Sequence, residues 1–300
     1  MSKNEAAEFA GRIADLFICH EEVVRIWDRF DSMRVHLKAG KQNEDPRHLL
    51  ITGLSGVGKT QIAKRYVKKN PSYEFMQDGK KITAMPVIHV KLPYPFTMLD
   101  FYKRILKSLK APITRSDARV NYVKEQALNL LIKQRTEMII FDEMNFIIRT
   151  KRFDDQAAME MFKDLTNEGQ LSIVCMGTPQ IEPLRTMEDE YIRRFGWETV
   201  RRFETLDDTF LSLLQKIEEQ LQPPKPIYLN STETAAYLHE CCQGRIGYLH
   251  SMIIEAYRLL DVFEADFSDF SKAELNMSIL AKAHYNLFRD SDHLRPPSDK

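Results

Sequence analysis

The chain has 300 residues, of which 43% are hydrophobic and 29% are charged. This length and composition exclude a disordered chain and allow one large or two modest domains with a real core. The 43 basic and 43 acidic residues cancel, so any attraction to nucleic acid must come from a local patch and not from the net charge.

The four cysteines and the hydropathy pattern predict a reduced, cytoplasmic protein. No two cysteines have the C-x-x-C spacing of a zinc or redox site, and the adjacent Cys241 and Cys242 form no metal motif. The first residues lack the apolar core of a signal peptide, and no apolar run approaches the length of a membrane span. We therefore expect a cytoplasmic location and no membrane partner.

The first predicted elements lead into a glycine-rich loop. Apolar residues recur at helical spacing between residues 17 and 37 and predict an amphipathic helix. A polar loop follows, and then a short apolar strand over residues 48–52. The helix predicted after Lys59 carries basic residues and ends near Asn70.

Four further strands are predicted after this helix. Short, mostly apolar runs over residues 85–91, 137–142 and 171–176 are typical of strands that are buried on both faces. A run over residues 197–203 alternates in the manner of an edge strand. Because helical patterns separate these runs, the sequence predicts an α/β fold in which helices flank a parallel five-stranded sheet.

A proline-rich break divides the predicted domains. Three prolines between residues 221 and 230 interrupt the helical pattern, and the sequence beyond them has only helical patterns. We predict an α/β domain with an N-terminal helical segment over residues 1–222 and a small helical domain over residues 223–290. The polar end, residues 291–300, is predicted to be disordered.

The loop GLSGVGKT matches the phosphate-binding pattern G-x-x-x-x-G-K-[ST], the Walker A motif, at every fixed position. Its glycines allow backbone N–H groups to converge on phosphate oxygens, and the following helix N-terminus adds its dipole. An ordinary glycine turn is the alternative, but the preceding strand and the following helix favour a nucleotide site. Lys59 then contacts the β- and γ-phosphates, and the Thr60 hydroxyl ligates Mg²⁺. The predicted nucleotide-binding residues of this loop are Gly53, Ser55, Gly56, Val57, Gly58, Lys59, Thr60 and Gln61.

The run MIIFDE places two carboxylates at the end of a strand, where ligands bind in open α/β sheets. Asp142 is predicted to hold Mg²⁺ through water, and Glu143 is predicted to polarise the attacking water. A strand that merely ends in acidic residues is common, but a P-loop upstream favours catalysis. Because a small-molecule kinase would not need Glu143, the pair favours ATP hydrolysis.

Four more polar residues are candidates for the same site. Thr178 follows a strand and is a candidate for contacting the γ-phosphate, with a simple strand-terminal turn as the alternative. Arg193 and Arg194 form a pair that either completes a neighbour's active site or lies on a solvated helix face. Arg245 begins a predicted helix, from which it can fold onto the phosphates.

Two basic patches are candidates for contacts with the DNA backbone, each with a solvated surface as its alternative. Such contacts would be dependent on salt and tolerant of sequence. The first patch has helical spacing and the second lies on a predicted loop; they comprise Lys103, Lys107 and Lys110, and Arg149, Lys151 and Arg152.

The order of GLSGVGKT, IIFDE, MGTP, YIRRF and GRIGYL resembles that of AAA+ ATPases. More narrowly, RHLLITGLSGVGKT with FDEMNFI and CMGTPQ is similar to the TniB/TnsC family of transposon-encoded target-selection ATPases, over about residues 12–260. The resemblance implies an AAA+ sheet with a helical lid, and ATP bound between adjacent subunits. It implies ATP-dependent rings or filaments on double-stranded DNA, which mark a target for transposition, and a transposase and a target selector as partners.

Carried over by position, the resemblance also implies roles for single residues, although the GRIG spacing departs from some relatives. Two other functions stay open: an AAA+ switch that acts on a protein partner, of the helicase-loader or signalling type, and a small-molecule kinase. The implied roles are Lys59 and Thr60 in the P-loop, Asp142 and Glu143 as the acidic pair, Thr178 as first sensor, Arg193 or Arg194 as arginine finger and Arg245 as second sensor.

Overall fold

A computed structural model describes residues 3–38, 46–112, 119–151 and 153–289. The predicted disordered end and the predicted DNA contact Arg152 lie outside the described residues. By their contacts, the described residues form two compact units. The α/β unit lies within residues 22–55 and 59–200, and the helical unit lies within residues 1–21, 56–58 and 201–300. The predicted domain boundary at residue 222 remains a prediction.

The α/β unit contains a parallel five-stranded sheet, which confirms the predicted fold class. A separate two-stranded antiparallel sheet precedes its second strand. In chain order the seven strands are β1 (His48–Thr52), β2 (Tyr73–Gln77), β3 (Lys80–Ala84), β4 (Val87–Lys91), β5 (Met138–Asp142), β6 (Ser172–Gly177) and β7 (Phe195–Thr199).

Along the chain, helices precede, separate and follow the strands. Helices α2 to α9 belong to the α/β unit. No helix in the described part of the chain is long and apolar enough to span a membrane. The helices are α1 (Lys3–Ala14), α2 (Glu21–Lys38), α3 (Lys59–Lys69), α4 (Met98–Ser108), α5 (Val120–Lys133), α6 (Asn145–Arg149), α7 (Asp155–Gly169), α8 (Glu182–Thr186), α9 (Asp189–Arg194), α10 (Asp208–Leu221), α11 (Thr232–Cys242), α12 (Ile246–Arg258) and α13 (Met277–Phe288).

The strand order of the large sheet is β4-β5-β6-β1-β7, and every neighbouring pair is parallel. The C-terminal ends of the strands therefore meet at one edge, where Thr52 pairs with Gly177 and Lys91 pairs with Asp142. β7 is an edge strand, as predicted, but it begins two residues earlier than the predicted run and ends at Thr199. The sheet thus gathers the ends of β1, β5 and β6 around one region.

The two faces of the large sheet carry different side chains. Side chains alternate along each strand, and one face packs on α4, α5 and α7 through Phe141 and Phe162, whose ring centroids lie 5.0 Å apart. The other face carries His89 of β4 and Asp142 of β5, both at positions in register with that face. The Thr60 hydroxyl, in the first turn of α3, donates to Asp142 Oδ2 at 2.7 Å, so this turn lies on the face with Asp142.

A buried hydrogen-bond network holds α3 to α2 and to the start of β5. Arg34 is buried, and its Nε donates to Glu137 Oε2 at 2.8 Å while its Nη1 donates to the Tyr66 hydroxyl at 3.1 Å. The same hydroxyl donates to Asp31 at 2.6 Å. Buried charges persist when they are paired and hydrogen-bonded, and here the pairing anchors the helix that carries Lys59.

The β2–β3 hairpin was not predicted. Its strands are mostly exposed, and its turn places Asp78 and Gly79 in the left-handed region, with φ of 51° and 69°. An Asp-Gly pair between two strands is a strong hairpin signal, so the sequence did contain the cue. The guanidinium of Arg135 lies 3.8 Å from the ring centroid of Phe75, which holds the hairpin against the end of α5.

The helical unit packs α1 with α10 to α13 around an aromatic core. Phe9 contacts Tyr257 and Phe270 edge to face, with centroids 5.1 Å and 4.9 Å apart. The carboxylate of Glu218 accepts three backbone N–H groups of residues 227–229. The proline-rich segment is therefore fixed to α10, and not loose as a flexible linker would be.

His48, at the start of β1, is the buried titratable group that should make this fold sensitive to acid. Its Nδ1 accepts the backbone N–H of Ile173 at 3.3 Å, and its ring contacts that of Phe195. Burial, reinforced by the charge of Arg194, lowers the pKa of His48 from 6.5 to about 3. The folded protein therefore keeps this imidazole neutral where the unfolded chain takes up a proton.

Replacing His48 with asparagine should remove part of the acid sensitivity. Between about pH 7.5 and about pH 5.5, proton uptake by the unfolded chain should cost the wild type about 1.4 kcal/mol of unfolding free energy through His48 alone. The variant lacks the titrating group but keeps an acceptor for Ile173. Urea denaturation at both pH values measures the difference, and parallel losses in the two proteins would contradict the prediction.

Candidate active site

Lys59, the first residue of α3, lies against the backbone of its own loop. Its Nζ donates to the carbonyls of Gly53 and Leu54 at 2.7 Å and 2.9 Å. Burial lowers the pKa of Lys59, and the charges of Asp142 and Glu143 oppose that shift. The ammonium thus lies within the electrostatic reach of the predicted Mg²⁺ ligand Asp142 and of the predicted catalytic carboxylate Glu143. Ser55 and Gln61, also predicted to bind nucleotide, have exposed side chains.

Asp142 is the centre of a compact hydrogen-bond network. Its Oδ2 accepts from the Thr60 hydroxyl at 2.7 Å and lies 3.3 Å from His89 Nε2, while its Oδ1 accepts the N–H of Glu143 at 2.9 Å. Burial alone would raise the pKa of Asp142, but the hydrogen bonds from His89 and Thr60 outweigh it and lower that pKa. The carboxylate is therefore ionised and fixed in orientation.

The oxygens of Thr60 and Asp142 fit Mg²⁺, which prefers hard oxygen ligands. Within the described ranges, no group of three or more His, Cys, Asp or Glu side chains could hold a metal by itself. Mg²⁺ typically binds through one or two protein groups, substrate phosphates and water, so this donor set matches a nucleotide-dependent metal site.

Glu143 lies just beyond the end of β5 on a left-handed backbone, with φ of 63°. This conformation is uncommon for a non-glycine residue and clusters at functional sites. Its Oε1 lies 3.9 Å from Lys91 Nζ, and its Oε2 accepts from Asn145 Nδ2 at 3.4 Å. The strained turn directs a partly exposed carboxylate away from the strand, next to the ionised Asp142.

Thr178 follows β6 directly and begins a short 3₁₀ turn, Pro179–Ile181. Its hydroxyl lies 3.5 Å from Gln180 Oε1, within the same turn. The structure therefore places Thr178 at the predicted edge of the sheet, but the contact that it shows is local.

The two candidate arginine fingers, at the end of α9, differ in their surroundings. Arg194 is mostly buried: its Nε lies 3.1 Å from Glu190 Oε1, and its Nη1 donates to Asn167 Oδ1 at 3.0 Å. Arg193 is exposed. Arg194 is thus engaged by side chains of its own chain, whereas the side chain of Arg193 is open to solvent.

The middle of the P-loop, Gly56–Gly58, groups with the helical unit. Gly56 and Gly58 have φ of 82° and 97°, which favours glycine, and Val57 between them is buried. The N–H of Gly247 in α12 donates to the Gly56 carbonyl at 2.7 Å, and a Cβ at Gly247 would lie 2.6 Å from that oxygen. This close approach requires glycine at position 247, whereas the positive φ values favour glycine at positions 56 and 58.

Arg245 is the N-cap residue of α12, as the predicted helix start requires. Its Nη1 donates to the Tyr248 hydroxyl at 3.2 Å, and its buried Nε has no partner among the described residues. The ring of Tyr248 covers Gly56, since a Cβ at that glycine would lie 2.6 Å from the ring. The GRIGYL segment therefore contacts the P-loop through the backbone of Gly247 and the ring of Tyr248.

The first predicted basic patch is not one helical face. Lys103 is half-buried and Lys107 is exposed on α4, but the helix ends at Ser108. Lys110 lies beyond that end with φ of 56°. Lys110 does not share the face of the other two lysines because the helix ends two residues before it.

The second predicted patch lies at the C-terminal edge of the sheet. Arg149 is the last residue of α6, not a loop residue, and Lys151 follows it; both are exposed. The guanidinium of Arg149 lies 5.3 Å from the ring centroid of Tyr94 and 5.9 Å from that of Phe146. Tyr94, on the connection from β4 to α4, is 57% exposed. An exposed cation and an exposed aromatic ring thus lie side by side on the surface.

Sequence reasoning missed His89, Asn145, Tyr94 and Gly247. His89 shares a strand face with the last residue of β4, and Asn145 follows Glu143 by two residues, so spacing contained a signal for both. Tyr94 and Gly247 could not be found in this way, because each contacts a residue that is distant in the chain: Tyr94 contacts Arg149, and Gly247 contacts Gly56.

These features define the class of the protein. The structure is similar to the Aeropyrum pernix ORC1 protein in complex with DNA (TM-score 0.63, 16% identity, 93% of this chain and 68% of that one). It is also similar to the Aeropyrum pernix ORC2 protein in ADPNP–ADP complexes (0.59, 14%, 92% and 71%) and to the Walker-type ATPase paby2304 of Pyrococcus abyssi (0.54, 14%, 92% and 75%). No curated protein matches the sequence. The fold is that of the AAA+ ATPases.

The family follows from the sequence itself. The model of the bacterial TniB protein family matches residues 12–205, which is more than half of the chain. The chain therefore belongs to the TniB family, a transposon-associated AAA+ family, as the resemblance predicted.

Proposed function

We propose that this protein is a Mg²⁺-dependent ATPase that assembles on double-stranded DNA in its ATP-bound state, marks a target, and recruits or activates a transposase through a target selector. The observation that carries the proposal is the Lys59–Thr60–Asp142–Glu143 arrangement in a chain of the TniB family. The similar ORC1 structure is of a protein in complex with DNA, which supports the choice of DNA as a partner.

The hydrolytic step would follow from this arrangement. Lys59 binds the β- and γ-phosphate oxygens, and the P-loop N–H groups orient them. Thr60, directly, and Asp142, through water, would hold Mg²⁺, and the ion would supply positive charge that neutralises the phosphates. Glu143, partly exposed beside them, would accept a proton from the attacking water as the water oxygen bonds to the γ-phosphorus and the bond from that phosphorus to the bridging oxygen of ADP breaks.

The DNA contact that the surface favours is the second basic patch. Arg149, Lys151 and Tyr94 are exposed at the C-terminal edge of the sheet, on connections that follow the neighbouring strands β4 and β5. Basic side chains neutralise phosphates, and an exposed ring adds a contact surface for sugar or base. Lys103 and Lys107 of α4 stay secondary candidates, because Lys110 does not share their helix face.

The test is electron microscopy in negative stain, with ATP or a slowly hydrolysed analogue, with and without duplex DNA. Regular rings or filaments that require both would support the proposal, and Arg149→Ala should weaken assembly more than Lys107→Ala as salt is raised. Lys59→Ala should form no assembly. Monomers under every condition would overturn the proposal and favour an AAA+ switch that acts on a protein partner.

Arg193, not Arg194, is expected to be the arginine finger. Arg193→Ala should lower DNA-stimulated ATP hydrolysis by about 10³-fold or more while ATP affinity is kept, because a finger stabilises charge only in the transition state. Arg194→Ala should instead lower thermal stability, since it breaks the contacts with Glu190 and Asn167.

Mixed assemblies make this test specific. Subunits with Arg193→Ala keep an intact Glu143, and subunits with Glu143→Gln keep an intact Arg193. If the finger acts across the interface, mixing the two inactive variants should restore part of the hydrolysis. Absence of any recovery, with normal co-assembly, would contradict a finger at Arg193.

A further inference from the structure

Asn145, the first residue of α6, lies between the C-terminal ends of β5 and β6. The preceding residue, Met144, donates its N–H to the carbonyl of Met176 in β6 at 3.0 Å, which ties the turn after β5 to the neighbouring strand. Asn145 is 7% exposed. A Cβ added to Gly177 would lie 2.9 Å from two side-chain carbons of Ile181 and 3.4 Å from Asn145 Oδ1, so the amide lies beside this glycine at the end of β6.

The nitrogen of the Asn145 side-chain amide contacts the carboxylate of Glu143. Its Nδ2 donates to Glu143 Oε2 at 3.4 Å, while its Oδ1 is buried and has no partner among the described residues. Buried polar atoms in folded proteins are nearly always hydrogen-bonded, and an exception asks for a functional reason. The free acceptor lies beside the end of β6, next to the carboxylate that is proposed to act on water.

A purely local role does not explain this side chain. The N-cap residue of α6 is Met144, and no side chain caps that helix. Lys91, whose Nζ lies 3.9 Å from Glu143 Oε1, is 58% exposed, so solvent screens its charge. The neutral, buried amide is the better-defined partner.

We infer that Asn145 is a positioning residue for Glu143: its amide holds the carboxylate, on its left-handed backbone, in the orientation that polarises the attacking water. The inference rests on the proposed ATPase function. A neutral donor can orient the carboxylate without cancelling its charge, whereas a cation at the same place would weaken it as a base. Misplacement of a catalytic group by about 1 Å costs about 10²-fold in rate.

The test is single-turnover ATP hydrolysis by Asn145→Asp and Asn145→Ala, each alone and combined with Glu143→Gln. Alone, each substitution should lower the rate about ten- to one-hundredfold while ATP affinity stays within about threefold of that of the wild type. Combined with Glu143→Gln, neither should add a further loss, because a residue that acts through Glu143 has nothing left to orient.

Controls separate this role from stability and from the proposed function. Asn129→Asp, on the exposed face of α5, should behave as the wild type, and thermal denaturation shows whether the Asn145 variants fold. Equal losses in both backgrounds, or full activity of folded Asn145 variants, would overturn the inference and leave the ATPase proposal intact. A wild type that neither binds nor hydrolyses ATP would instead overturn the proposed function.

Discussion

Lys59→Ala is expected to abolish ATP binding, with a loss of affinity of about a hundredfold or more. The structure places this ammonium against the carbonyls of Gly53 and Leu54, in the loop that is proposed to enclose the phosphates. It is partly buried and lies near Asp142 and Glu143. Truncation would leave phosphate charge facing these carboxylates without compensation, and charge-assisted hydrogen bonds of this kind are the strong ones. Isothermal titration calorimetry with ATP and Mg²⁺ measures the effect.

A matched control lies one turn along the same helix. Lys64 is exposed on α3, so Lys64→Ala removes the same charge from the same element and should bind ATP as the wild type does. ATP affinity of wild-type strength in Lys59→Ala would remove the P-loop assignment, and with it the proposed function. Equal losses in both variants would mean that the net charge of α3 matters and not the site.

Glu143→Gln is expected to keep ATP binding and to slow hydrolysis by about 10² to 10⁴-fold, the usual contribution of a general base. Glutamine has the same shape and can still accept a hydrogen bond from Asn145, but its neutral amide cannot take a proton from water. The variant leaves unchanged the groups that are proposed to bind the nucleotide and its Mg²⁺, Lys59, Thr60 and Asp142. The variant should therefore accumulate as an ATP-bound oligomer, which sedimentation and a single-turnover assay would both detect.

The control for this change is Glu125→Gln on the exposed face of α5. It removes one carboxylate from the same unit and should leave both binding and turnover unchanged. Normal turnover by Glu143→Gln would show that another group is the base. Loss of ATP binding in this variant would show that Glu143 contributes to the binding site and would leave its catalytic role without support.

Local chemistry allowed much of the site to be predicted. The P-loop is a contiguous pattern, and its glycines are expected where the backbone has to curl around the loop. In the structure Gly56 and Gly58 have the positive φ values that such a curled backbone needs. Asp142 and Glu143 follow an apolar run, and such a run ends at the ligand edge of a parallel sheet. The family and the five-stranded sheet follow from these same runs.

Several errors came from features that depend on where an element stops. α4 ends at Ser108, which removes Lys110 from the face of Lys103 and Lys107, although the spacing of the three is helical. β7 begins at Phe195 because its pairing with β1, and not its own alternation, sets its register. Helix and strand ends are decided by caps and neighbours, which propensity describes poorly.

What the amino-acid sequence by itself determined is the class of fold and the residues that follow one another along the P-loop and the end of β5, since each of these patterns is local. Only the tertiary structure decided which residues surround them. The pairing of β4 and β5 brings His89 to Asp142, and a turn tied to β6 brings Asn145 to Glu143. The contact between Arg194 and Asn167, which are 27 residues apart, separates one arginine from its exposed neighbour. Such contacts depend on the packing of distant segments, which no local pattern encodes.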